Sequence, residues 1–133
     1  METKSLFIKG TEFTPEIKFD IEGKFSMSGI SRPEDVAKFY ERPILWLKEY
    51  KNNIMNPVNK YRISKIHVVF KMKYFNSASA KHILKLLEII KTYEKIGVEI
   101  ITDWYYDEAD EQLLEDGQDL SEAIELPFSY YIM

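Results

Sequence analysis

Short apolar runs interleaved with polar residues open the chain. Leu6-Phe7-Ile8 is followed by Glu16 to Asp20, where Ile17 and Phe19 share one side, and by Lys24 to Ser28, where Phe25 and Met27 do. A period of two marks a half-buried strand, and Ile21-Glu22-Gly23 supplies a turn between the last two runs. The pattern predicts an antiparallel hairpin that ends at Gly29. Ser31-Arg32-Pro33-Glu34 fits a capping box, and Val36, Phe39, Tyr40, Ile44 and Leu47 follow at roughly helical spacing. A helix is predicted from this box to about Tyr50 to Asn53, kinked at Pro43, with Asn56-Pro57-Val58-Asn59 as a loop.

The period then changes twice more. Ile66, Val68, Phe70, Met72 and Tyr74 alternate with His67, Val69, Lys71, Lys73 and Phe75, which predicts a central strand. From Asn76-Ser77 onward, Ile83, Leu86, Leu87, Ile90 and Tyr93 form one helical stripe, closed by Gly97. Val98 to Tyr106 alternates again, so strand, helix and strand make a βαβ crossover with parallel strands. Beyond it, Asp107 to Gly117 reads as a short acidic helix and Leu120 to Ile132 as an irregular or partly helical tail. The predicted fold class is α/β (α+β): residues 1–133 as one domain, with helices packed on a single mixed β-sheet that carries an N-terminal antiparallel hairpin and a βαβ crossover.

Composition narrows the chemistry. Forty-five per cent hydrophobic residues in 133 suffice for one continuous core. With no cysteine there is no disulfide framework, thiolate metal site or cysteine nucleophile, and a reducing cytoplasm is the expected location. Purely apolar runs reach only about five residues, against roughly 20 for a membrane span, so no membrane partner is expected. A formal charge of −4 repels a phosphate backbone unless the lysines gather on one face, so nucleic acid is not an expected partner either. The five glycines lack the spacing of a phosphate loop, so no nucleotide cofactor is expected. Neither His67 nor His82 has company that would make it a metal ligand.

Two places invite a functional reading. The acidic cluster Asp103, Asp107, Glu108, Asp110 and Glu111 suits the first turn of a helix, whose dipole it complements; a carboxylate-based enzyme is the competing reading. Next to it, the aromatic run Trp104-Tyr105-Tyr106 reads either as core and rim or as a binding platform. Tyr74-Phe75-Asn76-Ser77-Ala78-Ser79-Ala80-Lys81 places two hydroxyls where a strand hands over to a helix. Unpaired N–H groups and the positive end of the helix dipole meet there, so a phosphate on the first-turn hydroxyl would be stabilised. The same residues also suit plain capping by Asn76 or Ser77.

Taken together, Thr14-Pro15-Glu16-Ile17, Met27-Ser28-Gly29 through Ser31-Arg32-Pro33-Glu34, the Tyr74 to Lys81 segment, Trp104-Tyr105-Tyr106-Asp107 with Asp110-Glu111, and Pro127-Phe128 resemble the SiaC-type regulatory phosphoproteins, in family order over nearly the whole chain. The resemblance implies a STAS-like fold and a non-enzymatic protein, switched by a cognate serine/threonine kinase and a PP2C-type phosphatase, that controls a diguanylate cyclase or another effector by binding it. The family's acceptor falls on Ser77, with Ser79 as second choice. Asn76, Ser79, Lys81, Trp104, Tyr106 and Asp107 are expected to flank the phosphosite or face partners. Serine replaces the familiar threonine at the acceptor, and Ala78 replaces a hydroxyl residue. An unregulated ligand-binding or scaffold domain, in which Ser77 only caps a helix, is the alternative.

Overall fold

In the computed structural model, which describes residues 3–58 and 63–133, strand β1 (Leu6–Ile8) leads into β2 (Glu16–Phe19) and β3 (Lys24–Ser31). Helix α1 (Val36–Met55), strand β4 (Lys65–Phe75), helix α2 (Ser77–Lys91) and strand β5 (Glu99–Tyr106) follow, then helix α3 (Glu111–Ile124) and strand β6 (Phe128–Ile132). A 3-10 turn at Thr92–Ile96 ends α2, and Gly97 reverses the chain with φ +86°. The six strands lie in chain order in one sheet; β1, β2 and β3 pair antiparallel, and β3 to β6 pair parallel. The mixed sheet, its hairpin and the crossover through α2 are as predicted, and two further parallel crossovers run through α1 and α3.

Alternation decides which face is covered. Ile17, Phe19, Phe25, Met27, Ile66, Val68, Phe70 and Met72 are buried, together with Trp46, Leu47, Tyr50, Ile83, Leu86, Leu87, Leu113, Leu120 and Ile124 from the helices. The opposite set, including Phe7, Lys18, Ser26, Val69, Lys71 and Tyr105, is exposed or half-buried. Burying a large apolar side chain contributes about 1.5–3 kcal/mol, so this one-sided core dominates the stability. Aromatic packing tightens it: Phe19, Phe25, Trp46 and Tyr50 meet at centroid separations of 4.7 to 5.9 Å.

Several local expectations are corrected. Gly29 does not end β3: it takes φ +96° at a register shift against β4, so it bends the strand, which continues to Ser31. Ser31 is therefore not a helix cap. Asp35 caps α1, accepting from the Lys38 N–H at 3.1 Å, and α1 continues past Pro43 to Met55. Of the predicted loop, Asn56 to Val58 is a turn and Asn59 lies outside the described residues. The third helix begins after Asp110 and passes through Gly117 to Ile124, and the supposed tail contains β6. Gly117 is tolerated mid-helix because α3 crosses the Trp104 ring there; a Cβ would stand 2.6 Å from it.

Most polar side chains under the sheet are paired; among the described residues the buried Thr102 hydroxyl is the exception. The Trp46 indole donates to the Lys4 carbonyl at 2.6 Å, and the Tyr50 hydroxyl to that of Ile21 at 2.6 Å. The Tyr93 hydroxyl donates to the Leu47 carbonyl, and Tyr40 meets the Ser31 hydroxyl at 2.6 Å. Burial pushes the Tyr40 phenol up to about 12 and raises that of Tyr93 further.

Two outcomes follow from this packing. Gly117→Ala, which in an exposed helix stabilises by up to about 1 kcal/mol, should here destabilise by about 1–3 kcal/mol, read as a lower urea midpoint. Because the folded state holds the tyrosine protons more tightly than the unfolded chain, stability is fully present below pH 10.0 and falls as pH rises toward about 12. Urea midpoints measured across that window should show the decline, and Tyr40→Phe should make it shallower.

Candidate functional site at the start of α2

Strand β4 ends at Phe75, and Asn76 makes the corner in an extended conformation (φ −82°, ψ 173°). Three hydrogen bonds hold that corner. The Asn76 N–H donates to the Ser31 carbonyl at 3.1 Å, its side-chain oxygen accepts from the Ser79 N–H at 2.8 Å, and its carbonyl accepts from the Ala80 N–H at 2.9 Å. The side-chain cap is of the kind worth about 1 kcal/mol.

The two candidate hydroxyls have opposite surroundings. Ser77 is the first residue of α2, is exposed, and makes no side-chain hydrogen bond to another described residue. The first turn contains no acidic residue, so its free N–H groups and the helix dipole face an uncontested position for negative charge. Lys81, four residues on and exposed, lies on the same helix face as Ser77. It borders a hollow of about 270 Å³ between α2 and α3, floored by Phe75, Ala80, Leu84 and Leu120.

Ser79, by contrast, is fully buried. Its hydroxyl donates to the Ser31 carbonyl at 2.9 Å and accepts from the Ser31 hydroxyl at 2.8 Å. Each hydroxyl carries one proton, so with these two committed the 2.6 Å contact between Ser31 and Tyr40 has Tyr40 as the donor. The resulting chain, Tyr40 to Ser31 to Ser79 to the Ser31 carbonyl, joins α1, the end of β3 and the first turn of α2. His82 extends it outward: its ring stacks on Tyr40 at 5.5 Å, and its Nδ1 donates to the Ala78 carbonyl at 3.0 Å. Ser31 and Tyr40 did not stand out in sequence, because their partners lie 48 and 9 residues away and the bulge at Gly29 disguises the side to which Ser31 points.

The other expected residues separate. Trp104, expected near the phosphosite or a partner, is fully buried among Phe70, Phe75 and Phe128, with its indole donating to the Leu113 carbonyl at 3.0 Å; it is core. Tyr106 is half-buried against the same core. Asp107 is exposed and shapes the turn before α3, its carboxylate accepting from the Ala109 N–H at 2.9 Å. Asp110 caps α3 through the Leu113 N–H at 3.0 Å. Asp103 lies on the open sheet face, 2.6 Å from His67 Nε2. The acidic cluster thus divides between a sheet face and a helix cap. Among the described residues no group of three His, Asp or Glu side chains is placed to hold a metal, and no helix is long and apolar enough to cross a membrane.

Comparison with known proteins agrees with this architecture. The crystal structure of apo-SiaC from Pseudomonas aeruginosa superposes with a TM-score of 0.80 at 23% identity, covering 96% of this chain and 98% of that one. The crystal structure of the diguanylate cyclase SiaD in complex with its activator SiaC, from the same organism, gives 0.80 at 24% identity, covering 96% and 99%. At these identities the likeness speaks for the fold. An uncharacterized protein of Pseudomonas aeruginosa strain UCBPP-PA14 is 26% identical over 125 residues, 93% of each chain. The family model for SiaC family regulatory phosphoproteins matches residues 8–133, and the chain belongs to that family.

Proposed function

We propose that this protein is a non-enzymatic switch in which Ser77 is the phosphoacceptor. Unphosphorylated, it binds an effector of the diguanylate cyclase class through the surface around Ser77 and the first turns of α2. A serine/threonine kinase adds the phosphate and a PP2C-type phosphatase removes it. One observation carries the reading: of two hydroxyls in the same helical turn, Ser77 is exposed and has no side-chain hydrogen bond among the described residues, while Ser79 is buried in a closed hydrogen-bond chain. A kinase needs a hydroxyl it can reach. The family assignment and the SiaD–SiaC complex of Pseudomonas aeruginosa support the regulatory role and the class of effector.

The physics of the switch is local. A phosphate brings about −1.5 to −2 charge to a first turn that holds no acid, where free N–H groups and Lys81 stabilise it. It thereby replaces a small neutral hydroxyl by a bulky anion in the middle of the binding surface, and an effector that packs on the neutral turn is repelled or must desolvate the charge. Asn76 holds the corner in both states, and Tyr106 and Asp107 border the same end of the sheet.

Phosphopeptide mapping after incubation with the kinase and ATP should place a single phosphate on Ser77, lost in Ser77→Ala and retained in Ser79→Ala. Calorimetric titration against the effector should show Ser77→Ala binding like the native chain and Ser77→Asp binding at least about tenfold more weakly, or about 1.4 kcal/mol. Equal affinities for all three would sink the switch. Ser79→Ala should instead lower stability by about 1–3 kcal/mol, because it leaves the Ser31 hydroxyl buried without its acceptor.

A further inference from the structure

Strand β6 closes one side of the sheet, and among the described residues nothing pairs with its outer edge. The Met133 N–H donates to the Tyr106 carbonyl at 2.9 Å, so the period of two turns the N–H and C=O groups of Ser129 and Tyr131 toward β5. Those of Tyr130 and Ile132 point outward, unpaired among the described residues. Exposed edges of this kind are normally guarded by lysine, proline, a bulge or brevity. The opposite edge follows the rule: β1 has three residues and lies between Lys4 and Lys9. β6 has five residues, no interior proline and no bulge in its register with β5.

Charge is what distinguishes this edge from the rest of the molecule. The chain is 30% charged, yet Pro127 to Met133 contains no charged side chain. The neutral strip continues onto the helix above. Ser121 of α3 lies close enough to the Tyr130 phenol to interact with it. Leu114, Gln118 and Ser121 recur at spacings of four and three on one flank of α3, where Glu111, three residues before Leu114, and Glu122, four after Gln118, mark its acidic border. Asp116 and Asp119 face the other way, toward the hollow beside α2.

We propose that the free edge of β6 is a homotypic docking surface: β6 of a second copy pairs antiparallel with it across a two-fold axis, joining two six-stranded sheets into one. The neutrality selects the occupant. On a two-fold axis a surface meets itself, so any patch of one sign repels its own copy, and like charges opposed across strands are destabilising. The acidic outer face of α3 and the lysine-flanked edge of β1 are unsuited to such a contact, whereas the β6 strip, with outward N–H and C=O groups on the same strand, complements itself. A strand from another protein would gain from charges that complement its own, and β6 itself carries no charged side chain.

Sedimentation velocity of the full chain from about 1 to 500 µM, a range that brackets micromolar association, tests this together with amide exchange. The native protein should pass from monomer to dimer as concentration rises, with the Tyr130 and Ile132 amides gaining protection in step. Ile132→Pro removes an outward N–H without touching the ladder to β5, and Ser129→Lys places like charges on both sides of the axis. Each should raise the dissociation constant at least about tenfold, with circular dichroism and urea midpoint unchanged. A native chain that stays monomeric throughout, a dimer indifferent to both variants, or protection of those two amides only when another protein is added would each overturn the proposal. None of these readouts depends on phosphorylation of Ser77.

Discussion

Parallel pairing of β3, β4, β5 and β6 is the constraint from which the rest of the architecture follows. A parallel neighbour cannot be reached by a hairpin; the chain must return over the sheet, and a helix does so while satisfying its own backbone. Three such returns in one direction, each right-handed by the usual rule, lay all three helices on one face. That places the core between the covered face and the helices. It also gathers the starts of α1, α2 and α3 at the carboxyl end of the parallel strands, where free N–H groups and dipoles favour negative charge. The candidate phosphosite lies at that end because the topology leaves no other place for the start of α2.

The buried hydroxyl chain shows how the site is held. Asn76 and Ser79 both donate to the Ser31 carbonyl, through a backbone N–H and a side-chain hydroxyl, so the first turn of α2 is fastened to the end of β3 twice. Tyr40 then ties α1 to the same point. A buried network of this kind is rigid when every member is satisfied, and here each proton has an assigned acceptor. The consequence for Ser77 is indirect. Its neighbours are fixed by groups below the surface, so the exposed hydroxyl stands on a turn that does not depend on it, and its substituent can change without removing a support.

The open face and the free edge are the complement of the covered one. Lys71 lies over the Tyr105 ring at 4.8 Å, Tyr105 stacks on Tyr131 at 5.1 Å, and His67 pairs with Asp103, so the outer face is ordered by its own polar and aromatic contacts. Three of the five acidic residues that look like one cluster in sequence serve separate structural tasks: one in the sheet, two at the start of α3. Their proximity in sequence reflects a strand handing over to a helix, with no convergence on a common point.

Much of this was legible in the chain itself. Period-two alternation at Phe25 and Met27 or at Ile66 to Met72, and the stripe from Ile83 to Tyr93, are one-dimensional records of which side is buried. Asn76-Ser77 marks a strand-to-helix corner by local chemistry alone. Residues whose roles depend on distant partners were not legible. Gly29 ended a strand on paper and bends it in the fold, Ser31 resembled a cap and is a buried hub, and Trp104, readable as core or as platform and expected from the resemblance to flank the phosphosite or face a partner, is core. Gly117 looked like a helix end until the Trp104 ring beneath it explained the missing Cβ. β6 was unreadable for a related reason: Phe128-Ser129-Tyr130-Tyr131-Ile132 does not alternate cleanly between apolar and polar, and the strand is defined by its pairing with β5. Periodicity and capping act within a few residues and are written in sequence, whereas register, burial of a single hydroxyl and the exposure of an edge arise only when segments distant in the chain are brought together.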